Sequence, residues 1–208
     1  ALKEADQFNN TLILFTSDNG GVYKITKQRP LRAGKGSYYE GGIREPFFIH
    51  WPEQIKEAKI STVQISNLDI FPTLVDLLDI QLPADKILDG TSLMPLVQNE
   101  TEELKRALFW HFPIYLEGGH QESQDPKFRT RPGSAVRYGD WKLIEYFENG
   151  DLELYHLGDD PGEANNLAAV NPSKTDELLQ LLIQWRQETN APVPGTINPK
   201  WLDPKDPK

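Results

Sequence analysis

The sequence predicts an α/β fold in parts: a portion of a sheet-and-helix domain over residues 1–100, a small antiparallel sheet packed on a helix over 101–190, and an extended proline-rich tail over 191–208. Three observations predict it. The run Thr11-Leu12-Ile13-Leu14-Phe15-Thr16 stops at Ser17-Asp18-Asn19-Gly20-Gly21, the pattern of a strand buried on both faces and closed by turn residues. Beyond residue 100, strand-like runs follow one another without crossover helices, and Asn149-Gly150 is a strong hairpin signal. Leu178, Leu181, Leu182 and Trp185 then recur at helical spacing.

The elements follow in chain order. Ala1 to Ala5 read as a helix already in progress, without an initiating Met or the basic and apolar regions of a signal peptide, so a piece of a longer protein is expected. Residues 22–46 hold Gly34, Gly36, Gly41 and Gly42 among Arg29, Arg32, Lys35 and Arg44, a long functional loop rather than a regular element. Phe47-Phe48-Ile49 is a brief strand ended by Pro52. Asp69 is expected to cap a helix whose stripe of Ile70, Phe71, Leu74, Val75 and Leu78 covers a sheet, with Pro72 tolerated in the first turn.

In the second part, strands are expected over Arg106–Phe112, Ser134–Tyr138, Trp141–Phe147 and Asp151–Tyr155, the last two joined through Asn149-Gly150. Ser173 with Asp176 resembles a capping box for the final helix. From Asn190 onward, Pro192, Pro194, Pro199, Pro204 and Pro207 suggest a chain running over the surface with little to pack.

Composition narrows the function. The 208 residues are 38% hydrophobic and 25% charged with a net charge of −9, so a phosphate-backbone footprint is poorly served and nucleic acid is not an expected partner. No run approaches the roughly 18 apolar residues of a membrane span. Without any cysteine, disulfides, thiolate metal sites and a cysteine nucleophile are excluded within this sequence.

Candidate chemistry gathers at a few positions. Asp18 and Asn19, at the carboxyl end of a strand, offer a carboxylate and an amide oxygen, hard ligands suited to Ca²⁺ or Mg²⁺; the same pair could simply form an Asx turn. Lys35, between Gly34 and Gly36, is a cation on a backbone that can approach an oxyanion closely, or a solvated loop lysine. Arg44 is either a bidentate oxyanion donor or an ion-pair partner of Glu40 and Glu45. Of the four histidines, none sits at zinc spacing; His111, in Phe109-Trp110-His111-Phe112-Pro113, could reach a cleft as a donor or be held at an aromatic strand end.

Taken together, Asp18-Asn19-Gly20-Gly21, the stretch Leu31-Arg32-Ala33-Gly34-Lys35-Gly36-Ser37-Tyr38-Tyr39-Glu40-Gly41-Gly42-Ile43-Arg44-Glu45-Pro46, and Trp51-Pro52 resemble the second half of the type I, arylsulfatase-like sulfatases. The resemblance continues through Asp69-Ile70-Phe71-Pro72-Thr73-Leu74, Asp89-Gly90-Thr91-Ser92-Leu93, Gly139-Asp140-Trp141-Lys142-Leu143 and Asp160-Pro161-Gly162-Glu163. It reaches about residue 190, and Trp110-His111-Phe112-Pro113 is most similar to bacterial members acting on sulfated glycans.

The resemblance implies an alkaline-phosphatase-like α/β domain followed by a C-terminal subdomain with an antiparallel sheet. It implies that Asp18 and Asn19 ligate the active-site Ca²⁺, with Mg²⁺ as the other choice, that Lys35 binds the sulfate group and takes part in catalysis, and that His111 contacts a sulfated glycan or aryl sulfate substrate. The family's nucleophile, a formylglycine made in a Cys/Ser-x-Pro/Ala-x-Arg motif, has no counterpart in this sequence. The N-terminal half of the same enzyme is therefore an expected partner, the chain alone is expected to be inactive, and export to the periplasm or beyond follows from family habit. Two other functions stand beside this one: a phosphodiesterase or phosphonate hydrolase of the same superfamily, and a noncatalytic sugar-binding remnant.

Overall fold

The computed structural model describes residues 1–201, which form two compact units: Ala1–Asp18 with Pro46–Lys105, and Asn19–Glu45 with the residues from Arg106 onward. The elements in chain order are β1 (Ile13–Thr16), α1 (Glu40–Ile43), β2 (Phe47–His50), a 3₁₀ turn (Asn67–Asp69), α2 (Ile70–Leu77), α3 (Met94–Val97), β3 (Ala107–Phe112), β4 (Leu116–Glu117), β5 (Phe128–Thr130), β6 (Gly133–Tyr138), β7 (Trp141–Tyr146), β8 (Leu152–His156) and α4 (Pro172–Thr189). Where the sequence places 1–100 in one body, residues 19–45 cluster here with the C-terminal sheet.

In the first unit, β1 pairs antiparallel with β2, Leu14 opposite Ile49 and Phe15 opposite Phe48. The expectation of a strand buried on both faces does not hold. Phe15 and Phe48 are each 53% exposed, with rings stacked at 4.7 Å, because a two-stranded ladder leaves its Phe-bearing face uncovered within the unit. Such a face, beside strand edges left open among the described residues, is expected to associate with other copies of the chain. Replacing Phe15 and Phe48 together by Thr is expected to shift the isolated chain towards monomer in sedimentation velocity; an unchanged size distribution would assign self-association to another surface.

The helix that follows also differs from expectation. Asp69 stands at the N-cap position of α2 but makes no side-chain cap bond there; it closes a capping box on the preceding 3₁₀ turn, where Ser66 Oγ accepts the Leu68 N–H and the Asp69 carboxylate accepts the Ser66 N–H at 2.7 Å. Its other oxygen accepts the Thr91 N–H, while Thr73 Oγ1 donates to the Asp69 carbonyl and accepts the Leu93 N–H. Asp69 and Thr73 thus fasten segment 91–93 to α2. Among the described residues the apolar stripe covers no sheet, for Phe71 and Leu78 are exposed and only Pro72 and Thr73 of α2 are buried.

In the second unit, four antiparallel strands run in the order β3-β6-β7-β8. Period-2 alternation sends Val136, Leu143 and Leu154 to one face, where they pack on Leu178 and Leu182 of α4 and Phe109 stacks on Trp185 at 4.8 Å. Ala135, Ile144, Tyr146 and Tyr155 line the other face against Ala33, Tyr38 and Tyr39. The sheet is therefore covered on both sides. Its turns use the backbone freedom of glycine, with Gly139 at φ 60° between β6 and β7 and Gly150 at φ 70° in the Asn149-Gly150 hairpin.

Ser173 does not cap α4. Pro172 occupies the first helical turn, where no N–H is needed, so the cap falls on Asn171, whose side chain accepts the Lys174 N–H. The segment after α4 is tied down rather than loose: Asn198 N–H donates to the Tyr115 hydroxyl, and buried Trp201 lies beside the Arg131 guanidinium, 5.4 Å from its ring centre. Pro204 and Pro207 lie outside the described residues.

Under the β6–β7 ladder, Lys142 is wholly buried with its ammonium 3.0 Å from Glu40 and 2.8 Å from Glu163, both carboxylates equally inaccessible. Arg137 completes the group at 3.2 Å from Glu40, and the second Glu163 oxygen accepts the Glu40 N–H. Desolvation raises the Glu163 pKa, only partly opposed by Lys142.

Candidate functional site

Asp18 follows β1 and is exposed at the end of the first unit, while Asn19 begins the second. The chain then doubles back within the second unit: Gly20 N–H donates to the Gly42 carbonyl and Lys35 N–H to the Gly21 carbonyl, both at 3.0 Å. A Cβ on Gly34 would stand 2.5 Å from Gly21 O, so the two segments approach as only glycine permits. The segment opening with Asn19 and the turn carrying Lys35 are thereby brought together, and the Lys35 side chain is exposed on a fixed backbone.

The Lys35 loop is anchored from its far end. Tyr38 OH donates to Gly133 O at 2.8 Å and Tyr39 OH to the Glu153 carboxylate at 2.8 Å. Where the sequence suggests no regular element, one helical turn, α1, forms because Gly41 and Gly42 lie against the carbonyls of Arg32, Ala33 and Ser37. Arg32 spreads its guanidinium 3.7 Å from the centre of the Tyr39 ring and donates to Tyr155 OH and Glu163 O.

His111 has both ring nitrogens engaged inside its own unit, Nδ1 with Ser134 Oγ at 2.7 Å and Nε2 with Pro192 O at 2.9 Å. Since a carbonyl only accepts, Nε2 carries the proton in the neutral ring; burial lowers the pKa. Arg44 stands 4.0 Å from Glu40, at the outer edge of the buried Lys142 group. Two residues near Lys35 escape sequence reasoning, Glu122 and His120; the Gly118-Gly119 turn just before them was their only local signal.

As a cation site, Asp18 and Asn19 provide hard oxygens that fit Ca²⁺ or Mg²⁺. Among the described residues no group of three or more His, Cys, Asp or Glu is placed to hold a metal ion. Two protein oxygens are too few for Ca²⁺, which takes six to eight ligands.

Residues 34–189 match the family described as N-sulphoglucosamine sulphohydrolase, C-terminal. The chain belongs to the sulfatase C-terminal domain family. A sulfatase of Formosa agariphila is 36% identical over 199 residues, an alignment covering 88% of this sulfatase-family chain and 34% of the relative. The crystal structure of Ps i-CgsB in complex with k-i-k-neocarrahexaose is 28% identical with a TM-score of 0.72, over 88% of this chain and 38% of that one. The phosphonate monoester hydrolase of Agrobacterium radiobacter is 26% identical with a TM-score of 0.64, over 90% and 37%. The fold is thus the alkaline-phosphatase-like architecture of sulfatases, mixed α/β with small antiparallel sheets. The chain spans little more than a third of the length of these proteins.

Proposed function

We propose that this chain supplies part of the pocket of a sulfuric ester hydrolase that removes sulfate from a sulfated carbohydrate or aryl sulfate, as the C-terminal portion of a longer polypeptide. The observation that carries the reading is the hydrogen bond from Lys35 N–H to Gly21 O, which sets the backbone of an exposed lysine beside the segment opening with Asn19. Lys35 binds the sulfate group and stabilises charge on its oxygens as the ester bond breaks. Asp18 and Asn19 hold a divalent cation, Ca²⁺ by preference over Mg²⁺, which when bound neutralises oxyanion charge as a Lewis acid. The formylglycine nucleophile and the remaining metal ligands come from the rest of the polypeptide, so the chain alone turns nothing over.

A carbohydrate substrate is supported by the oligosaccharide complex of the structural relative. His111, with both nitrogens engaged by Ser134 and Pro192, orders the end of β3 on this reading rather than a sugar. Export to the periplasm or beyond accompanies the reading. The second reading, hydrolysis of a phosphonate monoester or phosphodiester, is favoured by the superposition on the Agrobacterium radiobacter enzyme.

Kinetics of the complete polypeptide on an aryl sulfate, a phosphonate monoester and a phosphodiester separate the two. The sulfate ester is expected to have the highest kcat/KM, by about a hundredfold or more. A higher value on the phosphonate would transfer the assignment to the second reading.

A further inference from the structure

From the loop between β4 and β5, Glu122 reaches the turn that carries Lys35. Its carboxylate accepts the Ala33 N–H at 3.0 Å and pairs with the Arg29 guanidinium; its carbonyl accepts from Arg32 Nε at 3.2 Å. The Glu122 N–H in turn donates to His120 Nδ1 at 3.1 Å, and the His120 ring lies flat on Tyr23 with centroids 3.9 Å apart. The Glu122 side chain is 15% exposed, so water competes weakly for its carboxylate.

What Glu122 holds is an unusual backbone. Ala33 has φ 60°, the left-handed region that a residue with a Cβ avoids unless its surroundings impose it, and it is buried. The turn is boxed in on other sides, for Gly41 packs on the carbonyls of Arg32 and Ala33, and Gly36, at φ 82°, lies against Leu116 and Arg129. Between these walls, the conformation of Ala33 decides the direction in which Lys35 leaves the turn two residues later.

We propose that Glu122 is a positioning residue for Lys35: by holding the Ala33 N–H and Arg29 it fixes the left-handed turn and aims the lysine ammonium at the oxyanion. The inference rests on the reading of Lys35 as the sulfate-binding group. Glu122 touches no substrate and acts only through Lys35.

The test is a double-mutant cycle in the complete polypeptide with Lys35→Ala, Glu122→Ala and both together, reading KM, kcat and inhibition by inorganic sulfate, with amide exchange followed across residues 33–35. Glu122→Ala is expected to raise KM and weaken sulfate inhibition about tenfold, since a small misplacement of a binding group is enough. It should add nothing further in the Lys35→Ala background, and should speed exchange at Ala33. Glu122→Gln, whose amide oxygen still accepts the Ala33 N–H, should stay within about threefold of the parent. Should Glu122→Ala fail to fold, Glu122→Asp, one methylene short of the turn, takes its place. Additive losses, or unchanged exchange at Ala33, would overturn the positioning role. Unaltered sulfate inhibition in Lys35→Ala alone would instead remove the sulfate-binding reading of Lys35, while the exchange result still judges the hold on Ala33.

Discussion

Asp18→Ala, made in the complete polypeptide, is expected to abolish calcium binding and lower sulfate release by on the order of a thousandfold. On the proposed assignment Asp18 is the charged member of the pair this chain contributes, and a carboxylate attracts a divalent cation more strongly than an amide oxygen does. The neighbouring amide of Asn19 cannot replace it. Asp18→Asn keeps an oxygen at the same place and removes only the charge, so it should weaken calcium affinity and turnover without abolishing either. Because Asp18 is exposed after β1 and pins no buried partner among the described residues, either change should leave the melting temperature in excess chelator near that of the parent. Calorimetric titration with calcium gives a readout independent of turnover. Full calcium affinity in Asp18→Ala would remove the ligand assignment; lost affinity with unchanged turnover would remove the cation from the reaction.

The sequence made the C-terminal sheet legible because its signals are local. Asn149-Gly150 sets one hairpin, and Leu178 and Leu182 at helical spacing mark the face of α4 that packs on Val136, Leu143 and Leu154. The readings that needed correction depended on what lies across from a residue. The apolar run at Leu12 to Phe15 does form a strand, but an apolar run cannot say how many neighbours cover it, and Phe15 remains half exposed. Ser173 has the letters of a capping box, yet Pro172 before it moves the helix start to Asn171. Asp69 does sit at the N-cap position of α2, but its carboxylate reaches back to Ser66 and across to Thr91 rather than into the helix. At the candidate site, the glycines around Lys35 hinted at close backbone approach, whereas its partner Gly21 and the Glu122 bond to Ala33, 89 residues away, follow from tertiary structure alone. The roles given to Asp18, Asn19 and Lys35 came from resemblance to the sulfatases rather than from spacing.

Lys142→Ala is expected to destabilise the second unit by about 3–5 kcal/mol, the cost of stripping one partner from a buried ion pair. Among the described residues Lys142 is the only cation within 3.0 Å of either carboxylate, and both Glu40 and Glu163 are buried. Arg137 can still pair with Glu40. Among the described residues Glu163 would keep only the Glu40 N–H, so its burden falls on desolvation, which already raises its pKa with Lys142 present. The sign of the pH dependence follows. A carboxyl group whose folded pKa lies above its unfolded value favours the fold while protonated, and that advantage is lost as pH rises from the ordinary carboxylate range, near 4.3, through the raised value. With Lys142 gone the raised value climbs further, so the deficit of Lys142→Ala should be largest near pH 8 and shrink as pH falls towards 5. Lys142→Met, which restores volume without charge, should follow the same pH profile, separating lost charge from lost packing. Denaturant unfolding followed by tryptophan fluorescence reports on this unit through Trp110, Trp141, Trp185 and Trp201. A deficit under about 1 kcal/mol, or one that does not change with pH, would mean that Glu40 and Glu163 find water or Arg137 in its place and that the buried ammonium is not what holds the β6–β7 ladder to Glu40.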